Sequence, residues 1–242
     1  MTSIKLTHGE QRKSYVRKMF NSIARRYDLL NHLLSFGIDY LWRRKAIQQL
    51  NAGPDHLILD LATGTGDLAI ETINKTEARV IGADISINML KTGQTKSRRR
   101  QLQDRLNFVN GDGEQLPFGD AVFGGTVIAF GIRNMGHIDQ ALTEIHRVLK
   151  DSGQLIILEF SLPQVKFFQA LYLFYFNHIL PRVGRMISKD KEAYTYLPVS
   201  VSDFPSIGSF AHMIESAGFG EITYQKLLSG VAVIYKAHKN SE

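Results

Sequence analysis

The run Leu57-Ile58-Leu59-Asp60-Leu61-Ala62-Thr63-Gly64-Thr65-Gly66-Asp67 narrows what this chain can fold into more than any other segment. An apolar stretch that ends in a Gly-x-Gly turn and passes into a helical pattern reads as a strand-to-helix crossover, which brings backbone amides against a nucleotide. A second apolar stretch ends in Asp84, 18 residues past Gly66. An acid about 20 residues past the glycine turn is placed to accept hydrogen bonds from ribose hydroxyls. From Leu57 onward, β-rich runs near 57–61, 79–84, 106–109, 122–129, 154–160, 221–227 and 230–236 alternate with helical patterns. That alternation predicts an α/β chain with a doubly wound, mainly parallel sheet. Only the Ser229-Gly230 turn separates the last two strands, which must therefore be antiparallel neighbours.

Charge decides which nucleotide fits. Gly64-x-Gly66-x-x-Ala69 also satisfies the dinucleotide fingerprint. A pyrophosphate favours a bare helix N-terminus and is repelled by nearby carboxylates. Here Asp60 precedes the turn and Asp67 follows it. S-adenosylmethionine (SAM) carries a sulfonium and an ammonium group, which a carboxylate at the end of the first strand suits, so the expected cofactor is SAM rather than NAD.

The 242 residues suffice for one large α/β domain, here 1–242, with a helical cap over 1–52 and an α/β core over 53–242 that carries a lid segment near 163–196. Residues 10–26 and 39–50 have helical apolar spacing, and 138–150 is amphipathic through Ile138, Leu142, Ile145, Val148 and Leu149. The absence of cysteine excludes disulfides, thiolate metal sites and a cysteine nucleophile, and no metal is expected. Residues 1–20 hold several basic side chains and no apolar core segment, so the expected location is the cytoplasm. The net charge of +6 concentrates before Arg26 and at Lys96, Arg98, Arg99 and Arg100, either as solvated helix faces or as surfaces for phosphates.

Two longer segments extend the reading beyond the cofactor. Tyr27-Asp28-Leu29-Leu30-Asn31-His32-Leu33-Leu34-Ser35-Phe36-Gly37-Ile38-Asp39-Tyr40-Leu41-Trp42 and the run from Arg147 through Gly153 to Ser161 closely resemble the two signatures of the UbiE/MenG family, the C-methyltransferases of menaquinone and ubiquinone biosynthesis. Phe130-Gly131-Ile132-Arg133-Asn134 and the tail from Ala217 to Gly230 are similar to that family too, and the resemblance spans Tyr15 to Lys236. Departures are Leu30 for Met, Asp39-Tyr40 for His-Arg, Ala62 for a frequent glycine, and Ala129 for a frequent Ser.

The resemblance implies a class I SAM-dependent methyltransferase (Rossmann-like) fold, a mainly parallel seven-stranded sheet with one antiparallel strand. It also implies methylation of a ring carbon of a polyprenylated hydroquinone: demethylmenaquinol to menaquinol, with 2-methoxy-6-polyprenyl-1,4-benzoquinol as a related acceptor. By the same resemblance Asp60, Gly64, Thr65, Gly66, Asp84, Ile85, Asp112, Gly113 and Ala129 surround the cofactor, with Thr65 near its methionine end and Asp112 and Gly113 flanking the adenine. Arg133, Tyr27, Asp28 and Asn31 are the expected catalytic residues, with Arg133 stabilising a developing phenolate because a guanidinium is almost never a base. Glu159 is expected to hold Arg133 or the substrate, or to cap the following helix.

His137 and His178 are pH-matched bases or structural residues, and His146 belongs to a scaffold helix. Between Phe167 and Phe176 the chain is apolar almost all round, which suits a lid resting on the membrane surface or a face buried against a partner subunit, a homodimer or a quinone-biosynthesis complex. A chain of this kind would sit peripherally on the inner face of the cytoplasmic membrane. Nucleic acid is not an expected substrate: pyrimidine-carbon enzymes need a cysteine, and the Pro-Pro loop typical of adenine amino-methylation is missing.

Overall fold

A computed structural model describes residues 9–24, 26–35, 37–163 and 192–240. Three helices lead: α1 (Glu10–Ile23), α2 (Tyr27–Leu34) and α3 (Ile38–Ile47). The core follows as β1 (Leu57–Leu61), α4 (Asp67–Lys75), β2 (Arg79–Asp84), α5 (Ile87–Arg99), β3 (Leu106–Asn110), β4 (Phe123–Ala129), α6 (Ile138–Val148) and β5 (Leu149–Phe160). Then come α7 (Glu192–Asp203), α8 (Ile207–Ser216), β6 (Phe219–Leu227) and β7 (Ala232–Lys239). The aromatic segment Phe167–Phe176 and His178 lie outside the described residues.

The seven strands run in the order β3-β2-β1-β4-β5-β7-β6. Pairs through β5 are parallel, and β7 lies antiparallel to both β5 and β6. One reversed strand in a seven-stranded sheet is the arrangement that the family resemblance implies. It forms because the short Leu228–Gly230 turn between β6 and β7 leaves no room for a crossover helix.

Strands buried on both faces read as continuous apolar runs, and alternate side chains go to opposite layers. Leu59, Ile128, Leu155, Ile157, Val233 and Tyr235 pack with α6 and α8, whereas Ile58, Val127, Ile156, Leu158 and Ile234 pack with α3 and α4. Among the departures from the sequence reading, three change how elements join. The helix expected over 10–26 stops at Ile23 and restarts at Tyr27, which frees α2 to swing onto the glycine turn. The helix expected over 138–150 ends at Val148, where Leu149 turns extended (ψ 140) and enters β5. β5 therefore starts before residue 154, but its pairing with β4 breaks between Phe123↔Leu149 and Gly125↔Gln154, so only the later part is regular.

Candidate active site

The C-terminal ends of β1, β2, β3 and β4 converge on one edge of the sheet, where ligands bind in folds of this kind. After Leu61 the chain turns through Ala62, Thr63, Gly64, Thr65 and Gly66 into α4. Gly66 has φ +83°, and a side chain there would press on the Phe108 ring at 3.1 Å, so both conformation and space require glycine. Gly131, just past β4, would place a Cβ 2.5 Å from that of Ala62, so the β1 and β4 turns touch. Ala62 itself sits at φ +55°, a conformation glycine adopts more easily.

Asp84 closes β2 and ties the turn together. One carboxylate oxygen accepts the Gly64 amide at 2.8 Å and the other the Ser86 amide at 2.7 Å. Burial pushes this carboxyl up to about 6, against the pull of those two amides. Asp60, inside β1, is 1% exposed. One of its oxygens accepts the Thr63 hydroxyl at 2.5 Å, and the other, Oδ1, has no hydrogen-bond partner among the described residues. Burial pushes the Asp60 carboxyl up to about 7, opposed by the Thr63 hydroxyl and the Ala69 amide.

A cleft of about 700 Å³, counting its open mouth, is lined by Gly64, Asp84, Ile85, Asp112, Gly113 and Ala129 among others. A smaller adjoining pocket is lined by Asp60, Gly64, Thr65, Asp67 and Ala129. Eight of the nine expected cofactor residues thus line these two spaces, and Gly66 shapes the turn from behind. An unpartnered buried carboxylate oxygen beside the glycine turn fits a cationic ligand and opposes a pyrophosphate. The residues present therefore fit SAM.

Of the four expected catalytic residues, only Tyr27 lines the cleft. Burial pushes its phenol up, partly offset by Arg43 and Arg133, so it faces the cleft as a neutral donor. Asp28 accepts the Thr65 hydroxyl at 2.5 Å and pairs with Lys96 at 2.6 Å. Asn31 donates to Asp39 at 3.4 Å. Arg133 is 5% exposed and donates to Glu159 at 2.7 Å and to the Phe130 carbonyl at 2.5 Å, with its guanidinium 5.4 Å over the Phe160 ring. Burial works against that charge, but Glu159 outweighs it and the guanidinium stays charged. Of the three roles open to Glu159, the structure shows the first, holding Arg133.

The histidines divide similarly. His137 meets buried Glu114 at 2.9 Å, and His146 packs edge-on against Phe219 as part of the scaffold.

A polar network that sequence reasoning missed joins the cap to the glycine turn. Lys96, within a basic run of open function, is mostly buried and bridges Asp28 (2.6 Å) and Asp67 (2.5 Å). His32 lies between Asp39 (2.8 Å) and Asp67 (3.5 Å). Asp39 also accepts from Ser35 and Arg43. Burial opposes the charge of Asp39, but Ser35, Arg43 and His32 outweigh it and hold its carboxyl below the ordinary value. Asp39 is thus a buried hub. Asp28 and Asp67 share the one cation of Lys96, and Asp60 Oδ1 and Asp67 Oδ2 are the two buried carboxylate oxygens beside the turn without a hydrogen bond among the described residues.

Phe130 lines the cleft and stacks behind it on Phe160 at 4.4 Å, with Trp42 about 6 Å from both. Asn134 lines the cleft beside Phe130 and accepts from the Tyr196 hydroxyl at 3.0 Å. α1 crosses the opening, where Lys13 pairs with Asp112 at 2.7 Å and Arg12 donates to the Arg133 carbonyl at 2.7 Å.

The family model described as ubiE/COQ5 methyltransferase family matches residues 6–239. The demethylmenaquinone methyltransferase of Porphyromonas gingivalis is 43% identical over 93% of this chain and 92% of its own length. A Geobacter ubiquinone/menaquinone biosynthesis C-methyltransferase UbiE is 42% identical over 93% of this chain and 96% of its own. Among solved structures, the [4+2]-cyclase SpnF superposes with a TM-score of 0.72 at 15% identity, covering 98% of each chain. A SAM-dependent methyltransferase from Thermotoga maritima superposes with a TM-score of 0.66 at 18% identity, covering 93% of this chain and 100% of its own. These two likenesses show the class I fold, while the relatives and the family model carry the assignment: the chain belongs to the ubiE/COQ5 methyltransferase family.

Proposed function

We propose that the chain is a SAM-dependent C-methyltransferase of respiratory quinone biosynthesis that methylates the ring of demethylmenaquinol to give menaquinol, and accepts 2-methoxy-6-polyprenyl-1,4-benzoquinol in the same site. The observation that carries this reading is a cleft lined by Phe20, Tyr27 and Phe130 that adjoins a pocket holding buried Asp60, in a chain that matches its family over residues 6–239. SAM supplies an electrophilic methyl group on its sulfonium. Asp60 takes the cationic end and Asp84 the ribose hydroxyls, with the Gly64–Gly66 turn holding them apart.

A neutral aromatic carbon is a poor nucleophile, and loss of a hydroquinone proton, with an ordinary pKa of about 10, loads electron density onto the ring. The ring carbon would then take the methyl group as its bond to sulfur breaks, S-adenosylhomocysteine being the leaving group and the ring proton passing to solvent. Tyr27 orients the quinol oxygen by donating to it. Arg133, its charge paired with Glu159, acts through that residue and the Phe130 carbonyl to fix the segment that presents Phe130 and Asn134. Asp28 and Asn31 act as positioning residues that seat α2. The Phe20 and Phe130 rings, which line the cleft, shed water around the acceptor.

No helix among the described residues is long and apolar enough to cross a membrane. We place the enzyme peripherally on the inner membrane face, where a prenylated acceptor resides; a homodimer or a quinone-biosynthesis complex is the accompanying proposal.

The test is transfer of labelled methyl from SAM to chemically reduced demethylmenaquinone, with oxidised quinone and RNA as parallel acceptors. Label in menaquinol only under reducing conditions supports both substrate and phenolate. Label in RNA, or in no acceptor despite SAM binding, overturns the quinol assignment.

A further inference from the structure

Seven large hydrophobic residues stand exposed among the described residues, and three of them, Leu29, Tyr40 and Leu41, fall on α2 and the start of α3. Scattered exposed leucines need no explanation, whereas a cluster does. These are 61%, 54% and 59% exposed. The Tyr40 ring stacks on His32 at 4.1 Å, which joins the two helices, and Leu29 lies one helical turn before His32. α3 buries Asp39, Trp42, Arg43, Ala46 and Ile47, so its open face carries Tyr40, Leu41, Arg44, Lys45 and Gln48. Arg26, exposed, stands just before α2. The exposed face of α3 has no acid, because Asp39 is turned inward onto Arg43.

We propose that this α2–α3 face, with Leu29, Tyr40 and Leu41 ringed by Arg26, Arg44 and Lys45, docks on an anionic lipid bilayer. An apolar tip with an aromatic ring and flanking basic side chains is the composition that inserts at a headgroup boundary, where the leucines lose water and the cations meet phosphates. A second copy of the chain is a poor occupant, since an isologous contact would set Arg44 and Lys45 against the same cations. The same helix pair presents Tyr27 inward to the cleft, so docking here brings the cleft to the lipid surface. That use rests on the reading that the acceptor carries a polyprenyl tail.

The experiment is flotation of the full chain with vesicles of phosphatidylcholine containing phosphatidylglycerol, and with phosphatidylcholine alone, for wild type, Leu29→Glu/Leu41→Glu and Arg44→Glu/Lys45→Glu. Wild type is expected to float with the anionic vesicles in a salt-sensitive manner, and each double variant to bind about tenfold more weakly or worse, with SAM binding unchanged as the control of folding. Wild-type binding that both variants retain, no binding by wild type, or a wild-type dimer that the leucine variant dissolves would each overturn the proposal. Turnover of a short-chain, water-dispersible demethylmenaquinol separates the two readings. Equal turnover by wild type and variants leaves the substrate reading standing whatever the vesicles show, and no turnover by wild type discards that reading without touching the surface.

Discussion

Asp60 is the residue on which cofactor choice turns. Its carboxyl, raised to about 7 by burial, must ionise to meet a cation. SAM affinity should therefore rise about tenfold from pH 6 to pH 8. Titration calorimetry at both pH values checks this, and Asp60→Asn should bind more weakly with the pH dependence much reduced. Stability moves the opposite way without cofactor. The folded-state values of Asp60 and Asp84, about 7 and about 6, lie above the ordinary 3.8. Their contribution is therefore full below about pH 4 and is lost as pH rises through 6 to 7. Added SAM should accordingly raise the melting temperature more at pH 8 than at pH 6. At Ala62, held at φ +55°, substitution by glycine relieves a left-handed side chain and should gain up to about 1 kcal/mol in urea unfolding; a loss of stability would show that its Cβ contact at the Gly131 turn matters more.

At the scale of elements, α2 is held by charge as well as by packing. Lys96 on α5 bridges Asp28 on α2 and Asp67 at the head of α4. Removing it as Lys96→Met leaves two carboxylates facing each other, at a cost of about 1–2 kcal/mol because the pairs are partly solvated. Chemical denaturation would measure the loss, and faster proteolytic cutting between α1 and α2 would locate it. The helix periodicities of α3 and α6 were legible in the sequence because one stripe of each is apolar. The break between α1 and α2 was not, since no glycine or proline marks residues 24–26 and only contact with the glycine turn decides it. Lys96 was read within a basic run because local sequence cannot show an acid brought from 68 residues away.

Across the whole molecule, the buried pair Arg133–Glu159 couples the ends of β4 and β5 to the cap, with Arg12 of α1 on the Arg133 carbonyl. Glu159→Gln should destabilise the chain by about 3 kcal/mol, as loss of one partner leaves a buried charge uncompensated. Arg133→Ala should lower turnover more than SAM affinity, because Arg133 fixes the acceptor side of the cleft rather than the glycine turn. Equal effects on both would count against that role, and labelled-methyl kinetics beside equilibrium SAM binding would tell them apart.

What the sequence determined by itself is what local order encodes: strand and helix alternation, the two glycine-bearing turns, and the acids that end β1 and β2. These follow from apolar period and backbone conformation, which depend on near neighbours in the chain. The tertiary structure alone decided which charges are spent. It turned Asp67, Asp28 and Asp39 onto Lys96, His32 and Arg43, committed Arg133 to Glu159, and left one oxygen each of Asp60 and Asp67 without a hydrogen bond. Electrostatic pairing acts through space at a few ångströms, and residues far apart in the chain come within that range only after the sheet has formed.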